Sequence, residues 1–210
     1  METLLDFFSF RDPNIRFVVI GSILLTAGSA IVGSFTFLNK RSLVGDAIAH
    51  AVLPGICLGF LLSGTKNPFF LIGGAFATGW LSLVGVDYIT RHTRIKEDTA
   101  IGLVLSVFFG LGIVLLTVIQ KSGNAAQSGL DHFLFGKAAS LVGADLYTFA
   151  AVAVVLLVAV FLLFKEFALL AFDKDFARAI GLPVKKIELV LTSLIVLAVV
   201  IGIQAVGVVL

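Results

Sequence analysis

Asp46 and His50 stand four residues apart in the otherwise apolar stretch LVGDAIAHAVLPGICLG, residues 43–59. On a helix this spacing puts both on one face, about 6 Å apart, so a carboxylate and an imidazole can reach one divalent cation. Ionisable groups within an apolar span are costly and usually mark a substrate or ion pathway. The residues alone leave a second reading open. Asp46 would then be a first-turn acid favoured by the helix dipole, and His50 a hydrogen-bonding partner of a neighbouring helix. Pro54 follows His50 by four residues and has no N–H for the His50 carbonyl, which predicts a kink and a free oxygen beside the pair. Cys57 falls on nearly the same face about 10 Å further along, too far for the same ion, and reads as a small packing residue.

Other polar residues carry weaker signals. Asp131 and His132 are adjacent, so on regular structure they point apart; in an outer loop they are weak candidates for receiving a metal, against a plain solvated turn. His92 lies among Arg91, Arg94 and Lys96, a poor place for a cation. Glu97 and Asp98 open an apolar run, where the helix dipole favours acids. Gln204 reads as a buried residue that hydrogen-bonds another helix. A GxxxxGK[ST] phosphate loop is missing from the sequence, so this chain is not expected to be an ATPase or to carry out covalent catalysis.

These residues must be positioned by helices in lipid. Of 210 residues 59% are hydrophobic and 13% charged, with a mean hydropathy of +1.12. A soluble domain carries about 25% charge, and this chain has too little to cover a solvated surface. The net charge of +2 is too mild, and the basic residues too scattered, for a nucleic-acid partner. A single cysteine excludes a disulfide framework and any CxxC motif. The first residues, 1–13, mix acids with aromatics and do not read as a cleaved signal. Six apolar runs approach the roughly 20 residues that a bilayer requires: Phe17 to Leu38, Gly45 to Leu62, Pro68 to Ile89, Thr99 to Ile119, Leu141 to Phe164 and Ile187 to Leu210. The expected fold is thus an all-α polytopic membrane bundle of about six spans, a single domain over 1–210.

Lysine and arginine set the threading. Ten of them, Lys40, Arg41, Arg91, Arg94, Lys96, Lys165, Lys174, Arg178, Lys185 and Lys186, fall on one side. Five, Arg11, Arg16, Lys66, Lys121 and Lys137, fall on the other. The majority side is cytoplasmic by the positive-inside rule, and the N-terminus is outside. His50, about 15 Å beyond Lys40, then comes near the bilayer midplane. Small residues at four-residue spacing, Gly102/Ser106/Gly110, Gly73/Ala77 and Gly74/Thr78, predict close helix packing. Residues 204–210 still read as helix, with no cap or charged flank, so the sequence suggests a C-terminally truncated membrane protein. An internal repeat is not evident.

Between the last two runs lies a charged, partly apolar segment, 166–184, on the cytoplasmic side. It mixes Asp173, Lys174, Asp175 and Arg178 with Phe172, Phe176, Ala177 and Ile180, and Gly181 and Pro183 follow as a stop signal. A short amphipathic helix of this kind suits docking to a protein groove; resting on lipid headgroups is the alternative.

LVGDAIAHAVLPG closely resembles the signature of the manganese/zinc/iron permease family of ABC transporters, the ABC-3 family. Further segments match that family: IKEDTAIGLVLSVFFGLG (95–112), GLDHFLFGKAA (129–139), FDKDFARAIGLP (172–183) and QAVGVVL (204–210). The resemblance implies a type II-like importer in a prokaryotic cell membrane. Two permeases, identical or related, pair around a central path; a cytoplasmic ABC ATPase drives it; an extracellular or periplasmic metal-binding protein delivers the ion. It further implies that Asp46 and His50 meet the metal. The segment containing Phe172, Asp173, Phe176, Ala177, Arg178 and Gly181 would be the coupling helix in an ATPase groove. One carboxylate and one imidazole suit Mn2+ or Fe2+, with Zn2+ possible, and the absence of a thiolate weighs toward manganese. The competing class is a secondary transporter driven by an ion gradient, which would usually place several acids within spans. A non-transporting scaffold, the third class, would tolerate loss of Asp46 and His50.

Overall fold

The structure, a computed structural model, describes residues 13–207 apart from 40, 42, 65–66, 122–135 and 137–142. All regular structure among them is helical, in the order α1 (Pro13–Leu38), α2 (Val44–Ser63), α3 (Pro68–His92), α4 (Glu97–Lys121), α5 (Gly143–Leu162), α6 (Phe164–Phe172), α7 (Lys174–Ala179) and α8 (Val184–Val206). Five of these helices are long and apolar enough to cross a membrane, and the pair α5–α6 makes a sixth if counted as one span. Helix is dictated here because every backbone N–H and C=O in hydrocarbon must be satisfied within its own segment.

Local chemistry sets the boundaries. Gly64 ends α2 with φ of +62°, and its N–H donates to the Phe60 carbonyl at 2.9 Å. Asn67 caps α3 by accepting from the Phe69 N–H at 3.1 Å, with Pro68 following at the first position, where its missing donor costs nothing. The fifth apolar run does not continue straight to Phe164. The chain turns by 68° between α5 and α6, and α6 buries Phe167 and Leu170 against α1 and α8. Phe35 on α1 meets the rings of Phe164 and Phe167 edge-on, at centroid distances of 5.9 and 5.6 Å. The sixth run begins at Val184, three residues before the expected Ile187.

Two groups of helices share the interior. In the first, α2 packs against α3 and α4 around Ile48, Val52, Ile56, Leu71 and Val104. In the second, α1 packs against α5 and α6 around Val32, Phe35, Leu156 and Phe167. The helix α8 touches both, through Val196 and Val200 on one side and Leu191 and Leu194 on the other. Of the five separate spans α2 is the most buried, so the helix that carries Asp46 and His50 is held from several sides.

The close packing falls on only one of the three expected small-residue rows. Gly74 and Thr78 on α3 face Gly55 on α2, where an added Cβ would collide with the Gly74 carbonyl oxygen and Thr78 Oγ1. Gly59 meets the Phe70 carbonyl in the same way. By contrast, a Cβ added at Gly73, Gly102 or Gly110 would meet nothing within 4 Å, and Gly102, Ser106 and Gly110 are exposed on α4. Overpacking typically costs about 1–3 kcal/mol. Gly55→Leu is therefore expected to lower the thermal midpoint of the detergent-solubilised protein markedly, while Gly102→Ala leaves it within experimental scatter; equal midpoints for the two would contradict this packing.

Candidate functional site

Asp46 lies in the first turn of α2 and His50 one turn later. Nε2 of His50 is 3.4 Å from Oδ1 of Asp46. Two ligand atoms, each about 2.1 Å from a shared ion at a tetrahedral angle, stand about 3.4 Å apart. The pair is thus spaced to close on one cation without rearrangement of the helix. Around the pair α2 is buried at Val44, Ala47, Ile48, Ala51 and Val52, and further along their own face at Leu53 and Cys57, so the pair occupies the less covered, first-turn end of that face. Asp46 is 63% exposed on its side chain and His50 27%. A carboxylate exposed from an apolar span cannot face hydrocarbon at low cost, which fits a water-filled path or a partner surface.

Phe109 on α4 stands edge-on to the His50 ring, with centroids 5.1 Å apart and planes at 83°. This contact limits how the imidazole can turn. Spacing along one helix cannot reveal it, because the two residues belong to different helices. Nδ1 of His50 is buried with no hydrogen-bond partner among the described residues. No group of three or more His, Cys, Asp or Glu side chains that could hold an ion occurs among the described residues. Among the described residues the contribution is therefore a two-donor set. Counted from Val44, His50 is about 9 Å along the helix axis.

The helix α2 runs unbroken through Pro54, which is buried inside it. Cys57 is also buried, its thiol 3.9 Å from the Gly112 carbonyl on α4, as expected of a packing residue. Asp131 and His132 lie outside the described residues. His92 stacks on Tyr88 at 4.3 Å, and its Nδ1 lies 2.9 Å from the Tyr88 carbonyl. Gln204 is buried as expected, but its Oε1 has no hydrogen-bond partner among the described residues.

Where the end of α3 meets the starts of α2 and α4 lies an ionic node that sequence reasoning missed. Arg41, just before α2, reaches Asp87 near the end of α3 at 3.1 Å and Glu97 at the start of α4 at 3.0 Å. Arg91 approaches the other Asp87 oxygen at 3.4 Å. Half-exposed pairs are each worth less than about 1 kcal/mol, yet one guanidinium here serves two helices. Asp87 and Glu97 thus do more than occupy helix ends: they share a cation.

The segment 166–184 contains two short helices, with Asp173 between them. The Asp173 carboxylate caps α7, accepting from the N–H of Asp175 at 3.1 Å and of Phe176 at 2.8 Å. At the other end Gly181, with φ of +84°, donates to the Arg178 carbonyl while Leu182 donates to Ala177, both at 3.1 Å. This paired closure needs a left-handed residue, which glycine supplies without strain. Ala177 is fully buried beneath the helix, whereas Phe172, Phe176 and Ile180 point outward, 79%, 53% and 53% exposed. Arg178 pairs with Asp175 at 2.8 Å, and Lys174 reaches Glu188 on α8 at 2.9 Å. The outcome is a braced helix carrying the exposed Phe176, with exposed Phe172 at the end of α6 before it and Ile180 just after it.

Comparison with known proteins follows the same lines. Residues 11–210 match the ABC 3 transport family, ABC-3. Over 201 residues the chain is 52% identical to the manganese transport system membrane protein MntC of Bacillus subtilis, covering 95% of this chain and 46% of that protein. It is 45% identical to the zinc transport system membrane protein TroC of Treponema pallidum, covering 96% of this chain and 67% of that protein. Among solved structures, PsaBC from Streptococcus pneumoniae in complex with Fab superposes with a TM-score of 0.82 at 32% identity, over 98% of this chain and 72% of that one. The chain thus spans between about half and about two thirds of the two curated relatives. With its apolar helices and its sequence match over nearly its whole length, this multi-pass membrane chain belongs to the ABC 3 transport family.

Proposed function

We propose that this chain is a permease component of an ATP-driven importer of a divalent transition metal, with manganese the preferred ion. The observation that carries the reading is the Asp46–His50 pair, 3.4 Å apart, with an exposed carboxylate and a largely covered imidazole at the start of an apolar helix. Two donors are fewer than Mn2+ or Zn2+ takes. The remaining ligands would come from water, from backbone carbonyls or from a second permease meeting this one across the path. The names of relatives, a manganese and a zinc system, support the cargo class. Simple nitrogen and oxygen sites bind zinc more tightly than manganese, so selectivity would rest largely with an extracellular or periplasmic protein that delivers the ion.

On this reading α7, the core of the 166–184 segment, is the coupling helix. Its exposed Phe176, with Phe172 at the end of α6 and Ile180 just past α7, would enter a groove of a cytoplasmic ABC ATPase, with Arg178 and Asp175 at the rim. Asp173 and Gly181 act in coupling indirectly, by fixing the two ends of the helix. The ATPase would switch the bundle between outward- and inward-open forms.

The test is uptake of radiolabelled Mn2+ and Zn2+ by cells carrying the intact protein with an active or a hydrolysis-deficient ATPase partner. Uptake should require ATP hydrolysis and should persist when a protonophore collapses the ion gradient. Uptake that survives loss of hydrolysis but fails with the protonophore would replace this reading with a gradient-driven transporter.

A further inference from the structure

We propose that a cavity between α3 and α8 is a binding site for one anionic phospholipid of the cytoplasmic leaflet. The cavity has a volume of about 370 Å³ and is lined by residues of both helices, with contributions from the ends of neighbouring elements. Its deep walls are apolar: Trp80, Leu83 and Val84 on α3, and Leu189, Leu191 and Ile195 on α8. Charge gathers at the shallow end, where Arg41, Arg91, Lys174 and Lys185 meet Asp87, Glu97 and Glu188.

The dimensions fit a lipid rather than a soluble anion. From Arg91 back to Trp80 the axial distance along α3 is about 16 Å, and from Lys185 to Ile195 along α8 about 15 Å. Half of a hydrocarbon core of about 30 Å is the same length. The slot is therefore one leaflet deep, apolar along its length and cationic at the cytoplasmic end. Tyr88, stacked on His92 at 4.3 Å, sits at the level where aromatic residues favour the headgroup region.

The charge is complementary to an anionic headgroup. All three carboxylates are already engaged: Asp87 with Arg41 and Arg91, Glu97 with Arg41, and Glu188 with Lys174. Lys185 is exposed, and no carboxylate pairs with it among the described residues. A lipid phosphate at the mouth would take Lys185 together with the outer N–H groups of Arg91, while an acyl chain fills the apolar slot. Basic pockets between helices on the cytoplasmic side are suited to this task.

The intact protein, reconstituted in nanodiscs of equal phosphatidylglycerol and phosphatidylcholine and then released into mild detergent, should retain phosphatidylglycerol preferentially in native mass spectra. Lys185→Gln should reduce that preference about fivefold, the effect of one cation near an anionic surface. The neighbouring Lys186→Gln, outside the cavity, should leave it unchanged. Val84→Trp, which narrows the slot without altering charge, should reduce retention of bound lipid. Equal retention of the two lipids, equal effects of the two lysine variants, or undiminished retention in Val84→Trp would each overturn the assignment.

Discussion

Asp46→Asn is expected to reduce Mn2+ uptake by at least about 100-fold at unchanged membrane abundance. Loss of an outer partner of a metal ligand costs about 10–100-fold, and Asp46 is proposed as a ligand itself, the anionic half of a two-donor set. Asparagine keeps the shape and one oxygen but loses the charge that offsets the cation's dehydration. His50→Ala should cost a similar factor, for it also removes the ring against which Phe109 packs. Phe109→Leu should act more mildly, since it frees the imidazole without deleting it. Radiolabelled uptake normalised to immunodetected protein in the membrane is the measurement. If Asp46→Asn and His50→Ala transport within about twofold of the parent, the pair is structural and the metal path lies elsewhere.

The second large effect is expected at α7. Phe176→Asp places a charge among the exposed apolar side chains of this segment, Phe172, Phe176 and Ile180. Aromatic anchors that fill a partner's pocket commonly contribute about 2 kcal/mol or more, so the affinity for the ATPase should fall by about 30-fold or more. Folding should hardly change, because Phe176 is more than half exposed and the helix is secured by Ala177 below, the Asp173 cap and the Gly181 closure. Co-purification of the ATPase with the permease, alongside uptake, gives the readout. A helix that only rests on lipid headgroups would lose neither on this substitution, and unchanged co-purification would favour that alternative.

Much of this was legible in the sequence, for physical reasons that can be named. A bilayer imposes a length on every apolar run, so four spans appear within a few residues of their expected limits, while α8 ends at Val206, capped by Gly207, where the expected helix ran on uncapped. Asp46 and His50 lie on one helix, where spacing alone determines the shared face. Gly181 and Pro183 announce the end of α7 and the start of α8 by backbone restriction. Contacts between helices were not legible. Arg41 meets Asp87 46 residues later, and no local pattern encodes that meeting. The packed glycine row differs from its exposed counterpart on α4 only in having a neighbour, which composition does not specify. The bend between α5 and α6 has no proline or glycine at the join; it follows from Phe167 and Leu170 finding burial against other helices.

The node at Arg41 also bears on how the chain is made. Translation proceeds at about 5–20 residues per second, so Asp87 is synthesised roughly 2–9 s after Arg41. Through that interval the guanidinium has neither of its eventual carboxylates, and the membrane surface is the only place where it remains solvated. On the threading set by the lysine and arginine count, it would anchor the first hairpin at the cytoplasmic boundary while α3 and α4 are still being made. When Asp87 and then Glu97 arrive, the same cation becomes the point at which two later helices register against the earlier ones, so one side chain serves first as a topological anchor and then as an assembly mark.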